Sequence, residues 1–347
     1  MEPRPLVSVI VPNHDYGHVL ALCLRAVKEQ TYSPIEIICV DDHSTDDSVR
    51  VAESLGVRVI STPANSGGAS VPRNLGAEHA RGEILFFLDS DVALAPEAVA
   101  AAVAILRSDP EIGAVCGNFD PVPLIRDKLI KDYRNLFRHY WLRANEGPIS
   151  GFLPSAMIAI PADVWAEVGP WNPHLTQSEG ADVGERLADR YEVRLTSAVH
   201  GRHDDDATLG IALWKVFYRT RVQVPFFLQR RYAAGVVASP EAGASLAAAL
   251  AVTTLPAPLL AGALWPAALP AGALWPAVLP ALLFATWLAI DRRMYRYVFA
   301  SRGPAFGLYF VAMHFLVNLT IAAGAAVGIA QWLTSRSFRR MYRKAPA

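Results

Sequence analysis

Three polar clusters interrupt the apolar runs of the first hundred residues, and their residue types suit nucleotide and metal chemistry. Asp41-Asp42-His43-Ser44-Thr45-Asp46 follows one apolar run, and Asp89-Ser90-Asp91 follows another. Asn65-Ser66-Gly67-Gly68, then Arg73-Asn74, lies between them. In an extended segment, residues two apart point to one face, so Asp89 and Asp91 are expected to converge on one cation. Two such carboxylates repel each other unless a cation neutralises them, and hard divalent ions take carboxylate oxygens together with phosphate. A lone Asp-x-Asp reads equally as a solvated turn. Its place at the end of an apolar run, matching the first Asp pair, favours the metal. In the first cluster Asp46 or Thr45 can cap the following helix. Capping does not require Asp41 and Asp42, which suit a nucleobase imide or a ribose hydroxyl. The glycines fit neither G-x-G-x-x-G nor a P-loop, which disfavours dinucleotide binding and P-loop ATPase chemistry. A Gly-rich turn entering a helix, with Arg73 one turn in, can still face phosphate oxygens.

The elements that must position these clusters follow from the hydrophobic pattern. Short β-branched runs at Leu6–Val11, Ile35–Val40, Val57–Ile60 and Ile84–Leu88 alternate with helix-like segments at 18–29, 46–55, 69–80 and 96–107. That alternation predicts βαβ units and an α/β fold with a mostly parallel sheet. Such sheets bind ligands beyond the carboxyl ends of their strands, where the three clusters fall.

The remainder of the 347 residues differs in kind. Residues 1–241 hold 23 Lys and Arg against 31 Asp and Glu, whereas residues 242–347 hold 9 against the single Asp291. An acidic half joined to a basic, apolar half argues against both a simple cytosolic enzyme and a nucleic-acid binder. From Ala242 to Ile290 there are 49 residues without Asp, Glu, Lys, Arg or His. As one helix they would extend about 74 Å, more than twice a hydrocarbon core. Two spans turning near Trp265-Pro266, or one span plus a re-entrant piece, are expected. Gly303 to Ser335 lacks Asp, Glu, Lys and Arg and suits one further tilted span. The segment 261–280 is a tandem decamer, AGALWPAALP then AGALWPAVLP, read as kinked membrane helix. Arginine clusters at 292–302 and 336–344 flank the last span, so two spans, three spans, or an interfacial helix over Asp291–Arg302 all remain open. Cys23, Cys39 and Cys116 are too scattered for a disulfide framework and read as small buried hydrophobes of a reducing compartment. The six-residue run Leu6–Val11 is far short of a signal-peptide core, so the N-terminal half is expected in the cytoplasm.

Taken together, Val7-Ser8-Val9-Ile10-Val11-Pro12-Asn13, Val40-Asp41-Asp42-His43-Ser44-Thr45-Asp46, Asn65 with Gly67 and Arg73-Asn74, and Phe87-Leu88-Asp89-Ser90-Asp91 resemble family 2 glycosyltransferases over about residues 6–220. The resemblance implies a GT-A (nucleotide-diphospho-sugar transferase) fold. It also implies a nucleotide-diphosphate sugar donor, Mn²⁺ or Mg²⁺, and inversion at the anomeric carbon. By the same resemblance Pro12 lies along the nucleotide, Asp41 and Asp42 hold the base, and Arg73 holds the base or diphosphate. Asp89 holds the ribose, Asp91 is the metal ligand, and His203 completes the metal shell or contacts the diphosphate, with His200 as alternate. A cation of this kind neutralises the departing diphosphate, which then needs no proton from the protein.

Inversion also needs a base on the acceptor hydroxyl. The family's Glu-Asp pair falls at Ser178-Glu179-Gly180-Ala181-Asp182, with Gly180 where the Asp is expected. Glu179 or Asp182 therefore takes the proton, or this step is impaired. The two are three apart and share a face if helical, and both also suit helix capping. Asp204, Asp205 and Asp206 read as a solvated turn ahead of an amphipathic helix at about 207–220, whose Lys215, Arg219 and Arg221 suit anionic lipid headgroups. The Gln-x-x-Arg-Trp motif of processive synthases is matched only in the wrong order, by Gln229-Arg230-Arg231-Tyr232, which favours transfer of a single sugar.

The expected organisation is a GT-A catalytic domain at 1–225, a linker at 226–241, a transmembrane region of two or three spans at 242–335, and a basic tail at 336–347. The expected function is a multi-pass, divalent-metal-dependent inverting transferase with its catalytic domain on the cytoplasmic face of the cell membrane. It takes a lipid-linked or cell-envelope glycan acceptor, contacts membrane lipids, and does not bind nucleic acid. The alternative, suggested by Gly180, is a donor-binding scaffold subunit of a glycan assembly complex with weak turnover.

Overall fold

The computed structural model describes residues 3–150, 153–175, 178–229, 240–255 and 275–340, and the chain divides into two compact units, 1–207 and 208–347. The tandem decamer as far as residue 274, Trp265-Pro266, Arg230-Arg231-Tyr232 and the tail beyond Arg340 lie outside the described residues.

The first unit is a mixed sheet with flanking helices. Its described strands are β1 (Val7–Asn13), β2 (Ile35–Asp41), β3 (Arg58–Ser61), β4 (Ile84–Leu88), β5 (Val92–Leu94), β6 (Ile112–Phe119), β7 (Gly147–Ile149), β8 (Met157–Pro161) and β9 (Glu192–His203). They lie in the order β3-β2-β1-β4-β8-β6-β9-β5, with β7 paired to β9. The first four are parallel, β8 runs antiparallel to β4 and β6, and β6 and β9 are parallel again. Every residue of β1, β4 and β6 is buried, which is why they read as continuous apolar runs rather than alternating ones.

The helices that carry site residues are α1 (Gly17–Lys28), α2 (Ser48–Ser54), α3 (Ser70–Glu78), α4 (Ala98–Ser108), α5 (Leu129–Ala144), α6 (Ala162–Val168) and α7 (Glu179–Ala188). Helix α3 sits hard against the sheet, because Gly76 lets it close on β1 and β2. A Cβ there would lie 2.3 Å from Cγ2 of Ile10 and 3.1 Å from Cγ2 of Val40. That close approach fixes the height of Arg73, one turn earlier on the same helix.

The second unit is helical: α8 (Leu209–Gln229), then Pro240–Thr254, Trp275–Ile290, Arg292–Thr334 and Arg336–Arg340. The predicted catalytic domain ended at 225, which lies inside α8, whereas the first compact unit ends ahead of that helix. Gly324 and Gly328 of the 43-residue helix meet α8 at its backbone: a Cβ on them would lie 2.7 Å from the Phe217 carbonyl oxygen and 2.6 Å from that of Arg221. Small residues one turn apart permit this approach between apolar helices. Buried polar groups add to it, with Ser245 Oγ donating to Asn318 Oδ1 (3.0 Å) and His314 Nε2 lying 3.2 Å from Asp291 Oδ2.

Among the described residues Arg292–Thr334 is the one helix long and apolar enough to cross a membrane. Pro240–Thr254 and Trp275–Ile290, 15 and 16 residues, fall short of the ~20 that a span requires. Among the described residues the multi-pass expectation thus rests on a single qualifying helix. That helix breaks at Gly303, whose φ of 79° and ψ of 173° lie outside the helical region and which precedes Pro304. The break separates Arg292–Arg302 from the apolar stretch.

Candidate active site

The clusters lie at the carboxyl ends of the parallel strands. Pro12 is buried in β1, and the last residues of β1 and β2 face each other, Asn13 opposite Asp41. Asp41 and Asp42 are both buried but differently engaged. The Asp42 carboxylate accepts hydrogen bonds from Thr62 Oγ1 (2.7 Å), Ser66 Oγ (2.8 Å) and the Ser66 amide (3.1 Å), so it clamps the Gly-rich loop. Asp41 accepts only long bonds from the Ser44 amide, at 3.3 Å. Asp46 binds the Ser48 amide (2.9 Å) and the Gly17 amide (2.8 Å), tying the first turns of α2 and α1 together. Asp15, in the left-handed region at φ 56°, accepts from the Thr45 and Asp46 amides. Its bond from the Thr45 amide, foremost, holds its carboxyl below the ordinary value.

Asp89 and Asp91 do not converge on one point. The Val92 amide bonds back to the Asp89 carbonyl (3.1 Å), closing a turn over 89–92, and a turn does not keep residues two apart on one face. Asp89 accepts from Arg73 Nη2 at 2.7 Å, while Oδ2 of Asp91 lies 3.4 Å from Nε2 of His203. The second contact follows from strand pairing, since β5 runs antiparallel to β9 with Val92 opposite His203. Burial opposes ionisation of Asp91, and the imidazole of His203 outweighs it, leaving the carboxyl below its ordinary value. Asp91 Oδ1 is buried without a hydrogen-bond partner. His200 leaves the other side of the strand and pairs with Asp120 at 2.7 Å.

Behind His203 lies an ion-pair network that the sequence reading missed. The three acids predicted to solvate a turn are turned inward: Asp204 meets Lys131 Nζ at 2.7 Å, and Asp205 meets Arg134 Nε at 3.2 Å and Arg138 Nη1 at 3.1 Å. Asp206 lies 3.7 Å from Arg134 Nη2. Burial works against the Asp205 charge, but Arg138 and Arg134 dominate and hold its carboxyl well below the carboxylate range. Arg138 Nη1 also lies 3.3 Å from Nδ1 of His203, so the network touches the imidazole from behind. The signal was present, as Lys131, Arg134 and Arg138 are spaced i, i+3, i+7 on one face of α5. Tyr16 was missed as well. Burial, then the nearby Asp91 charge, drives its phenol far above the ordinary value, and no spacing announced it.

On the third side is the N-terminus of α7. Glu179 Oε1 lies 3.6 Å from Arg73 Nη1, and Glu179 Oε2 is buried without a partner. Asp182 turns along its own helix to Arg186, at 3.0 Å, whereas Glu179 faces Arg73. Gly180 has no room for a side chain, because a Cβ would lie 2.5 Å from the Leu153 carbonyl oxygen. Arg73 is 2% exposed and stacks over Trp171, its guanidinium carbon 4.9 Å from the ring centroid. Its guanidinium is therefore enclosed by Asp89, Glu179 and Trp171.

A metal group can be tested against these donors. Among the described residues no three acids, histidines or cysteines are placed to hold an ion, but Asp91 and His203 offer an oxygen and a nitrogen side by side. The buried, unpartnered Asp91 Oδ1 adds to that donor set. Two protein donors suit a divalent ion that completes its shell with substrate phosphate oxygens and water.

Residues 8–160 match the family model Glycosyl transferase family 2. Glycosyltransferase GlyG of Streptococcus pneumoniae is 41% identical over 91 residues, 25% of this chain and 30% of that protein. The poly(ribitol-phosphate) beta-glucosyltransferase of Bacillus spizizenii is 36% identical over 100 residues, 27% of this chain and 16% of that protein. The matched segment thus spans less than a third of either relative's length. Among solved structures, a mannosyltransferase from Pyrobaculum calidifontis in complex with GDP-Man and Mn²⁺ superposes with a TM-score of 0.55 at 18% identity, covering 96% of this chain and 89% of its own; that likeness concerns the fold. A GT-A sheet, the acids at its strand ends and the match over 8–160 agree on a glycosyl transferase family 2 domain in this part of the chain.

Proposed function

We propose that the chain transfers a single sugar, with inversion, from a nucleotide-diphosphate sugar to a lipid-linked or cell-envelope glycan acceptor at the cytoplasmic face of the membrane. The observation that carries this reading is a pair of contacts at the carboxyl end of β4, Arg73 with Asp89 and Glu179 on the one hand and Asp91 with His203 on the other. A donor-side group and a candidate base thus share Arg73. Pro12, Asp41 and Asp42 form the nucleotide end and Asp89 the ribose end. Asp91 and His203 would hold Mn²⁺ or Mg²⁺, which when bound offsets the charge of the departing diphosphate. Glu179 or Asp182 takes the acceptor proton. Glu179 is the better placed, since Asp182 is engaged by Arg186. Catalysis by such a base is worth roughly 10²–10⁴-fold. The solved mannosyltransferase with GDP-Man and Mn²⁺ supports a metal-assisted donor site, and the poly(ribitol-phosphate) relative supports a polymeric acceptor.

In this reading residues 1–225 form the catalytic domain, 226–241 a linker, and 242–335 the membrane anchor in contact with lipid, of which Arg292–Thr334 is the best-supported part. Donor turnover is measured on purified full-length protein in detergent or lipid, with Mn²⁺ or Mg²⁺, a panel of nucleotide sugars and membrane lipid extract. Metal-dependent transfer, lost in Asp91→Ala, supports the assignment. A second reading, a donor-binding scaffold with weak turnover, draws on the missing carboxylate at Gly180. Donor binding without turnover across the panel would favour it.

A further inference from the structure

The surroundings of Arg73 differ from its expected use. The family resemblance directs it outward to the nucleobase or diphosphate. Here its guanidinium is 2% exposed, bonded to Asp89 at 2.7 Å, 3.6 Å from Glu179, and covered by Trp171. Its support is rigid. Trp171 is fully buried, and its amide and carbonyl exchange hydrogen bonds of 2.8 Å with the Asn74 side chain, the residue next to Arg73. Gly76 presses α3 onto the sheet below. Trp171 also packs edge-on to Phe87 of β4, two residues before Asp89. A planar guanidinium held this way can serve two carboxylates at once, which a lysine ammonium on a flexible stem does poorly.

We propose that Arg73 is a positioning residue that fixes Glu179 for proton abstraction and ties it to the donor-side carboxylate Asp89. This rests on the transferase reading and on Glu179 as base. Three features support it. Glu179 opens α7, where a side chain without a fixed partner would sample several rotamers. Its Oε1 faces Arg73 at 3.6 Å, and its Oε2 is buried without a hydrogen-bond partner in the fold. Finally, Asp89 is held by the same guanidinium, so a displaced Arg73 would disturb both ends of the reaction centre together. The proton passes from the acceptor hydroxyl to the Glu179 carboxylate as the hydroxyl oxygen bonds the anomeric carbon. The bond to the diphosphate oxygen breaks with its electron pair leaving on the diphosphate.

The test is a double-mutant cycle on full-length protein in lipid, with Arg73→Gln, Glu179→Gln and the pair, together with Arg73→Lys. Sugar transfer, Kd for the nucleoside diphosphate product with Mn²⁺, and thermal unfolding are measured for each. If Arg73 acts through Glu179, each single change lowers kcat at least ~100-fold, and adding Arg73→Gln to Glu179→Gln lowers it less than ~3-fold further. Nucleoside diphosphate Kd stays within ~3-fold, and Arg73→Lys recovers part of the rate. Additive losses, or a Kd raised more than ~10-fold by Arg73→Gln with kcat retained, would overturn the proposal and return Arg73 to the donor. A wild-type protein that binds nucleoside diphosphate but transfers nothing sinks the transferase reading itself, and the positioning role with it. Arg73→Gln that unfolds is replaced in the cycle by Arg73→Lys, judged by the same non-additivity.

Discussion

Replacing Asp205 by Asn tests whether the buried ion pairs behind His203 hold the site together. Asp205 is 5% exposed and has Arg134 at 3.2 Å and Arg138 at 3.1 Å. An Asn keeps the volume but removes the charge, leaving the buried Arg134 guanidinium and the half-buried Arg138 guanidinium with less compensation. Breaking a buried pair from one side costs about 3–5 kcal/mol, because the remaining charge stays desolvated. For a unit of 207 residues, each kcal/mol moves the melting temperature by roughly 2–4 °C, so a fall of about 6–20 °C is expected. The assay is thermal unfolding of the full chain in detergent, followed by tryptophan fluorescence, with Asp47→Asn as control. Asp47 pairs with Arg50 on the surface, where 81% of the arginine side chain is exposed, and its loss should leave the melt unchanged. Acid adds a second reading. The folded Asp205 carboxyl titrates below its unfolded value near 3.8, so its stabilisation is present above that pH and is lost as pH falls through lower values. The slope is at most about 1.4 kcal/mol per pH unit for the group, and it should flatten in the variant. A melt shifted by less than ~2 °C, with an unchanged acid slope, would refute the argument.

Other perturbations separate neighbouring groups. His203→Ala should reduce metal-stimulated transfer at least ~10-fold, whereas His200→Ala, removed from Asp91 and paired to Asp120, should stay within ~3-fold; metal titrations of both check this. Gly180→Asp restores the carboxylate that the family pattern places there, yet its Cβ would meet the Leu153 carbonyl. It should lower both activity and melting temperature, and a large gain in rate would contradict the packing. Gly324→Leu should destabilise the helical unit by loosening α8 from the long helix, read as faster proteolysis between residues 208 and 347.

The parallel half of the sheet was legible because β1, β4 and the second half of β2 are buried, which favours apolar runs over alternation. The strand-end acids were legible for the same reason, as charges directly abutting such runs. What sequence did not carry is local closure and distant partnership. The turn at 89–92 sends Asp89 and Asp91 to different partners, although their spacing alone suggests a shared face. Asp204, Asp205 and Asp206 read as solvated because the cations that bury them stand 67 to 73 residues earlier, on α5. The constraint at Gly180 comes from a carbonyl that no composition reveals. Helix α8 runs to Gln229 rather than to about 220, continuing through Pro225.

The three acids have a mechanical consequence. They are the last charged residues before the chain leaves the first compact unit at Ala207 and enters α8. Tension arriving along the backbone from beyond Ala207 would reach Asp204–Asp206 first, where Lys131, Arg134 and Arg138 fasten the chain like a cleat. The load would then pass into α5 and the body of the sheet. The contact between His203 and Asp91, one residue further in, is spared a pull applied to the chain beyond Asp206.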